Sequence, residues 1–418
     1  MSKINVAMIS YHTCPLATLG GKDTGGMNVY VREVTRQLGR LGVHVDVFTR
    51  SQDEHVPHVL HDLGRGNRVV HIPAGPEVPL PKQVLAGHLP QFVKGVIHFA
   101  QSRGIHYDLI HSNYWMSGIA AISLKDSWNI PILHMFHTLG LMKNRVARSE
   151  NEKEGEYRIT GERKVLAGAD RIVAATLAEL SQLQFLYKAN GSKISIVPPG
   201  VDTLHFYPIH KDEAKEYVGI QPSCNVLLFV GRIEPLKGLD VLFEAIIQMR
   251  QNGVFNHTPF CLSVIGGDPE ESLEAMSAEM LHLKSLRDQF GLQDMVALLG
   301  RRSQDSLPYH YSAAEVVVVP SHYESFGMVA LEAMACGTPV VASDVGGLAY
   351  LVKDGQTGFT VPVAEPAALA EKLTLLLQDQ ELRQRMGQQA AEYAREYSWE
   401  IIVNRLCELY AELLGKDF

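Results

Sequence analysis

Cysteine is scarce in this chain: five residues in 418, at Cys14, Cys224, Cys261, Cys336 and Cys407, odd in number and never in a C-x-x-C pair. That spacing excludes a disulfide scaffold and a cysteine-built zinc site, and reads as buried free thiols in a reducing compartment. No run of Lys or Arg is long enough to track a nucleic-acid backbone, and the net charge of -8 is modest, so nucleic acid is excluded as a partner. No apolar stretch is long enough to span a bilayer, and the N-terminus lacks a signal-peptide pattern; a cytoplasmic location is expected, with no integral membrane segment. Asp-x-Asp is also missing, which removes the usual carboxylate pair for holding magnesium against a diphosphate.

Hydrophobic residues at 46% and charged residues at 20% are those of an ordinary globular protein, and 418 residues exceed what one core serves. Short β-rich runs alternate with helical patterns: Ile4 to Ile9, Val43 to Thr49, Leu109 to His111, Ile132 to Phe136, Arg171 to Ala174 and Ile194 to Val197. A second series follows at Val226 to Val230, Leu262 to Ile265, Val296 to Leu299, Val316 to Val319 and Val340 to Ser343. The expected class is α/β, with two doubly wound Rossmann-like domains facing a cleft. Proline and glycine in Pro198-Pro199-Gly200 punctuate the pattern and set expected domains at 1–205 and 206–395. Apolar residues at helical spacing from Trp399 to Leu414 suggest that 396–418 crosses back to the first domain.

Several loops at strand ends carry chemistry. Asp23-Thr24-Gly25-Gly26-Met27-Asn28 leads into a helix expected to start near Val29, where glycines permit close backbone approach and helix N–H groups suit an anion. Arg232 and Lys237, flanked by Gly231, Pro235 and Gly238 just past a strand, suit a diphosphate. From Pro320 to Pro339 a buried strand gives way to a turn and a helix; the amides near Gly327, Met328 and Val329 suit phosphate. Glu324 and Glu332 offer carboxylates to hydroxyl groups. His134 and His137 form H-x-x-H within an expected strand, which would turn them to opposite faces, so a metal site is rejected.

The stretch Glu324-Ser325-Phe326-Gly327 through Glu332 resembles the E-x7-E signature of glycosyltransferase family four, retaining enzymes of GT-B fold. Gly25-Gly26, His137-Thr138-Leu139, Pro199-Gly200-Val201-Asp202, Gly231-Arg232 with Lys237, and Gly346-Gly347 follow in the family's order along nearly the whole chain. The resemblance implies a UDP-sugar donor, with Arg232 and Lys237 on the diphosphate, Glu332 on the ribose and Glu324 on the hexose. Gly25, Gly26, Phe326 and the amides of Gly327 to Val329 complete the donor site, and His137 stands near the reacting carbon. The implied catalytic residues are thus His137, Arg232, Lys237 and Glu324, with no cofactor and no metal.

Within the family, Gly25 to Val31 and His111-Ser112-Asn113-Tyr114-Trp115 resemble two groups with phosphorylated acceptors, the sucrose-phosphate synthases and the D-inositol-3-phosphate glycosyltransferases. Lys82, Lys143 and Arg158, with hydroxyls from Tyr114 and Thr138, form the expected phosphate clamp. Sucrose-phosphate synthesis from UDP-glucose and fructose 6-phosphate is the favoured expectation, on the general likeness of the Tyr157 to Glu179 region. Met27-Asn28 leans instead toward the inositol enzymes, with UDP-N-acetylglucosamine as donor. The chain stops soon after its last helix, so no appended phosphatase-like domain is expected. A non-catalytic sugar-binding protein is the reading from another class, since fold does not fix function.

Overall fold

A computed structural model describes residues 4–18, 24–256, 260–267 and 278–416. The chain forms two compact units: one holds the described residues up to Pro199 together with 399–416, the other those from Gly200 to Ser398. The change of unit thus falls at Pro199/Gly200, a few residues before the expected 205. After it comes the helix Lys211–Tyr217, whose Lys215 is buried against Glu315.

In the first unit, β1 (Asn5–Ile9), β2 (His44–Arg50), β3 (Val59–Leu60), β4 (Arg68–Ile72), β5 (Leu109–Asn113), β6 (Ile132–Met135), β7 (Arg171–Ala174) and β8 (Ile194–Ile196) form one sheet, in the order β3-β4-β2-β1-β5-β6-β7-β8. All pairings are parallel except the short β3 against β4. The second unit arranges β9 (Asn225–Val230), β10 (Phe260–Ile265), β11 (Val296–Gly300), β12 (Val316–Val319), β13 (Val340–Ser343) and β14 (Gly358–Val361) as β11-β10-β9-β12-β13-β14, all parallel. Near-continuous apolar strands such as Val316–Val319 belong to sheets covered on both faces, and β-branched side chains favour the extended backbone. Strands β3, β4 and β14 were absent from the sequence reading. They are short or begin in polar and glycine-containing segments, and they gain their partners only from the neighbouring ladder.

Strand order reverses at β1/β5 in the first sheet and at β9/β12 in the second, and the crevice beyond the carboxyl ends at such a reversal is where open α/β sheets bind ligands. The C-terminal helix Trp399–Leu414 packs in the first unit against the helix Gly26–Arg40, and its Tyr410 hydroxyl lies 2.7 Å from His111 Nδ1 on β5. Cys336 and Cys407 are buried, whereas Cys14, Cys224 and Cys261 are partly exposed, correcting the expectation that all five thiols are interior. No helix among the described residues is long and apolar enough to cross a membrane.

Candidate active site

At the second unit's reversal, adjacency of β9 and β12 brings two motifs together that are nearly ninety residues apart. Arg232 and Lys237 follow β9, and Pro320 to Glu324 follow β12. The loops touch through backbone: His322 N–H donates to Leu236 O at 2.9 Å, and a Cβ added to Gly238 would lie 2.0 Å from Pro320 O. Gly238 also has φ +65°, so both its space and its backbone require glycine. On the other side, Gly347 N–H donates to Glu324 O at 3.0 Å, and a Cβ on Gly346 would sit 1.9 Å from that same oxygen. The glycines of this region therefore clamp the loop that carries Glu324.

Lys237 Nζ donates to Glu324 Oε2 at 2.5 Å, and Arg232 Nη1 to Glu234 Oε1 at 2.8 Å. These pairs are partly exposed, so solvent screens them and an incoming diphosphate can take over the cations. Gly327, at φ +109°, caps the helix Met328–Ala335, whose first backbone bond within the helix runs from Leu331 N–H to Gly327 O. The amides of Met328 and Val329 precede that bond and remain directed at the loop, an arrangement that favours anions. Phe326 is buried beside Tyr397. Glu332, one turn further on, is nearly buried and accepts a 2.8 Å bond from Tyr311 Oη.

The first unit's reversal collects a different kind of site. Asn28 holds the Gly25-Gly26 turn: Gly25 N–H donates to Asn28 Oδ1 at 2.9 Å, while Asn28 Nδ2 donates to Thr13 Oγ1 and to Cys14 O. The helix consequently begins at Gly26 rather than near Val29. A Cβ on Gly25 would meet no described residue within 4 Å; Asp23 lies outside the described residues.

Strand β6 ends at Met135, and His137 lies beyond it with φ +61°, outside the strand in which the H-x-x-H argument had placed it. Tyr114, just past β5, has φ +74°. Positive φ costs a bulky residue of the order of 1–3 kcal/mol, and such strain collects where function over-determines the backbone. His137 Nε2 stands 2.9 Å from Asn113 Oδ1, and an amide oxygen only accepts, so Nε2 bears the proton and Nδ1 is an acceptor. Burial first, then the charges of His111 and His12, push the His137 pKa down to about 3. A neutral imidazole of this tautomer can accept a hydrogen bond at Nδ1 and does not act as an acid at neutral pH. Beside it, Asn113 Nδ2 and Tyr30 Oη are buried with no partner among the described residues. Those two groups were missed in the sequence, where neither type nor spacing marks them.

The clamp residues converge around Tyr114. Arg158 lies 5.1 Å from its ring centroid and Lys82 Nζ 5.9 Å, while the His12 ring packs at 4.4 Å. Arg158 is 1% exposed. Its Nε donates to Glu162 at 2.9 Å, Nη1 to Glu154 at 2.6 Å, and Nη2 to both the carbonyl and the hydroxyl of Thr138 at 3.0 Å. Arg158 thus offers the site its charge, with most of its donors already spent. Burial pulls its pKa down, but Tyr114, Glu162 and Glu154 together raise it, and it stays charged. Lys143 Nζ donates to Glu154 at 3.0 Å; burial lowers its pKa, with Glu154 acting in the opposite sense. Fully buried Glu162 also accepts from Gly140 N–H and Tyr187 Oη, fixing the start of the helix that carries Lys143. Glu154 and Glu162 were missed because carboxylates in a charged helical segment read as a solvated face. No group of three or more His, Cys, Asp and Glu among the described residues is placed to hold a metal.

Comparison with known proteins agrees with this geometry. Residues 24–204 match the Glycosyltransferase Family 4 description and 210–393 the Glycosyl transferases group 1 description. The D-inositol 3-phosphate glycosyltransferase 2 of Catenulispora acidiphila is 40% identical over 407 residues, covering 97% of this chain and 94% of the relative. The D-inositol 3-phosphate glycosyltransferase of Kineococcus radiotolerans is 41% identical over 416 residues, covering 97% and 94%. Among solved structures, the sucrose-phosphate synthase of Thermosynechococcus elongatus superposes with a TM-score of 0.90 at 33% identity, covering 99% of this chain and 100% of that one. With both family models matched and relatives of this similarity over nearly the whole chain, the chain belongs to the retaining, sugar-nucleotide-dependent glycosyltransferases of family four, with the GT-B fold.

Proposed function

We propose that the enzyme transfers a hexosyl group from a UDP-sugar to a hydroxyl of a phosphorylated polyol, with inositol phosphate ahead of fructose 6-phosphate. The observation that carries this reading is the gathering of Lys82, Lys143 and Arg158 near Tyr114 and Thr138: Lys82 and Arg158 by the Tyr114 ring, Arg158 on Thr138, and Lys143 joined to Arg158 through Glu154. Three cations gathered from separate segments suit a phosphate dianion and have no role toward a neutral sugar. Relatives at 40% identity are inositol-phosphate enzymes, and Met27-Asn28 leans the same way, Asn28 being the residue that holds the Gly25-Gly26 turn. Fructose 6-phosphate, the first expectation from sequence, is kept as the second reading by the likeness to sucrose-phosphate synthase over the full chain.

In the proposed reaction Arg232, Lys237 and the amides at Gly327 to Val329 hold the donor diphosphate, Glu332 the ribose and Glu324 the hexose hydroxyls. The bond from the anomeric carbon to the diphosphate oxygen breaks, and the acceptor oxygen bonds to that carbon on the same face. The acceptor's hydroxyl proton passes to the departing diphosphate, and the two cations stabilise the charge that develops there. Neutral His137 accepts a hydroxyl hydrogen bond through Nδ1 and orients the hexose. Charge neutralisation rests on side chains and backbone, so activity without divalent metal is part of the proposal.

The test pairs UDP-glucose and UDP-N-acetylglucosamine with inositol 3-phosphate, fructose 6-phosphate, inositol and fructose, in excess chelator, following UDP release and product anomer by NMR. Retained product from inositol phosphate supports the first reading and sucrose 6-phosphate the second. Equal use of the unphosphorylated acceptors removes the clamp from the mechanism, and an inverted anomer removes the front-face route.

A further inference from the structure

One carboxylate sits among the clamp cations. Glu154 Oε1 accepts from Lys143 Nζ at 3.0 Å and from Arg158 Nη1 at 2.6 Å, so a single oxygen bridges two of the three cations. Arginine and lysine donors converging on one oxygen at these distances are the contacts a phosphate oxygen makes. The geometry points to Glu154 as a specificity-determining residue that occupies the acceptor-phosphate position and yields it only to a ligand able to displace it. This inference rests on the phosphorylated-acceptor reading above.

The way Glu154 is held fits a movable side chain on a fixed backbone. Asn144 grips its main chain at both ends, accepting from Glu154 N–H at 2.6 Å and donating to Glu154 O at 3.1 Å. The side chain is 19% exposed, and its neighbours Lys153, Gly155, Glu156 and Tyr157 face solvent, so Glu154 stands at the solvent edge of the cluster. Glu162, by contrast, is fully buried and bonded to Gly140, Arg158 and Tyr187; it cannot leave. Burial raises the Glu154 pKa, but Arg158, Lys143 and Lys82 outweigh it and hold the group ionised.

Charge balance shows what displacement accomplishes. Among the described residues Glu154 and Glu162 are the carboxylates bonded to Lys143 and Arg158, and a phosphate dianion added beside Glu154 would set like charges against each other. With Glu154 swung out, the dianion takes over the contacts that Glu154 made to both cations. Inorganic phosphate recovers only the contacts Glu154 surrenders, whereas a phosphorylated polyol adds hydroxyl contacts from its ring. Glu154 therefore discriminates against free phosphate, which an open three-cation pocket would otherwise collect, and it keeps Lys143 and Arg158 aimed while the pocket waits.

The experiment titrates inorganic phosphate into the full-length protein by calorimetry, for wild type, Glu154→Gln and the double variant Glu154→Gln with Lys82→Ala, with UDP binding measured on each. Loss of one competing charge-assisted contact is expected to tighten phosphate binding about 10-fold or more in Glu154→Gln, and the added Lys82→Ala should reverse it. Unchanged or weaker phosphate binding in Glu154→Gln that still binds UDP overturns the inference. Should that variant fail to fold, Glu154→Asp, whose shorter arm cannot span both cations, must show tightening in the same direction, and its absence overturns the inference equally. If phosphorylated polyols are turned over but phosphate binding does not tighten, Glu154 alone loses its role. If phosphate binding tightens but no phosphorylated polyol is a substrate, the acceptor assignment fails and Glu154 remains the occupant of an anion site.

Discussion

The two units build their sites from different materials. In the second, the loops past β9 and β12 are positioned by backbone contacts at Gly238, Gly346 and Gly347, and the charged side chains stand in partly exposed pairs. In the first, the side chains are themselves the scaffold: Arg158 and Glu162 are buried, and each joins several segments. Function and stability are therefore separable in the second unit and fused in the first. An ion pair that still reaches solvent is screened and worth less to the fold than a fully buried one, whose breaking leaves a charge without its partner.

The largest effect expected from this difference is at Arg158. Arg158→Ala removes the partner of buried Glu162 and should destabilise the first unit by about 3–5 kcal/mol. Denaturant unfolding measures it, and an unchanged midpoint would erase the contrast between the units. For the same reason acceptor kinetics of Arg158→Ala do not isolate phosphate binding, contrary to what the sequence alone suggests. Lys237→Ala should behave oppositely, with turnover lower by about 100-fold or more and thermal stability within about 1 kcal/mol of wild type. Steady-state rates beside a melting curve decide this, and a folded variant with normal turnover would remove Lys237 from charge stabilisation.

Lys82→Ala sharpens the comparison within the first unit, because Lys82 reaches the Tyr114 ring from the separate short helix Lys82–Leu85 and, unlike Arg158, is not fully buried. Its loss should raise KM for the phosphorylated acceptor about 10- to 100-fold and leave UDP affinity unchanged. An equal loss in UDP binding would place it at the donor instead.

The smallest difference is expected in acid. His111 and His137 in the first unit have pKa values pushed down to about 3 by burial, and that of His134 lies well below the ordinary value. In the second unit His310 is lowered to about 4, burial again being the main cause. A histidine held neutral by the fold is protonated first in the unfolded chain, so its contribution is intact above about pH 6.5 and declines as pH falls toward 3. All three tryptophans, Trp115, Trp128 and Trp399, belong to the first unit. Tryptophan fluorescence should accordingly report an acid transition about one pH unit above the midpoint seen by far-UV circular dichroism. Coincident midpoints would mean that the units unfold together.

The same contrast explains what could be read beforehand. Strands β7, β12 and β13 and the helix Trp399–Leu414 have the limits read from sequence, because their apolar period and length admit no other state. The loop past β12 and its neighbours past β9 were legible as local structure because their requirements are local: a strand end, a glycine with positive φ and a helix N-terminus. His137 stands beyond the strand, as the run Ile132 to Phe136 implied, but the H-x-x-H argument extended the strand through it, since a left-handed turn at a non-glycine residue leaves no mark in composition. Asn113, Tyr30, Glu154 and Glu162 went unseen because each acts through a neighbour distant in sequence, or sits within a charged run that reads as solvated.

By itself the sequence determined that there would be two α/β units, where their buried strands run, and which residue types stand at the strand ends. Those properties follow from hydrophobic period, chain length and local backbone limits. Only the tertiary structure decided that Lys237 would meet Glu324, that four of the Arg158 donors would be spent inside the protein, and that Glu154 would bridge Lys143 and Arg158. Strand order sets those meetings, and strand order comes from long-range pairing whose free energy no local stretch of sequence contains.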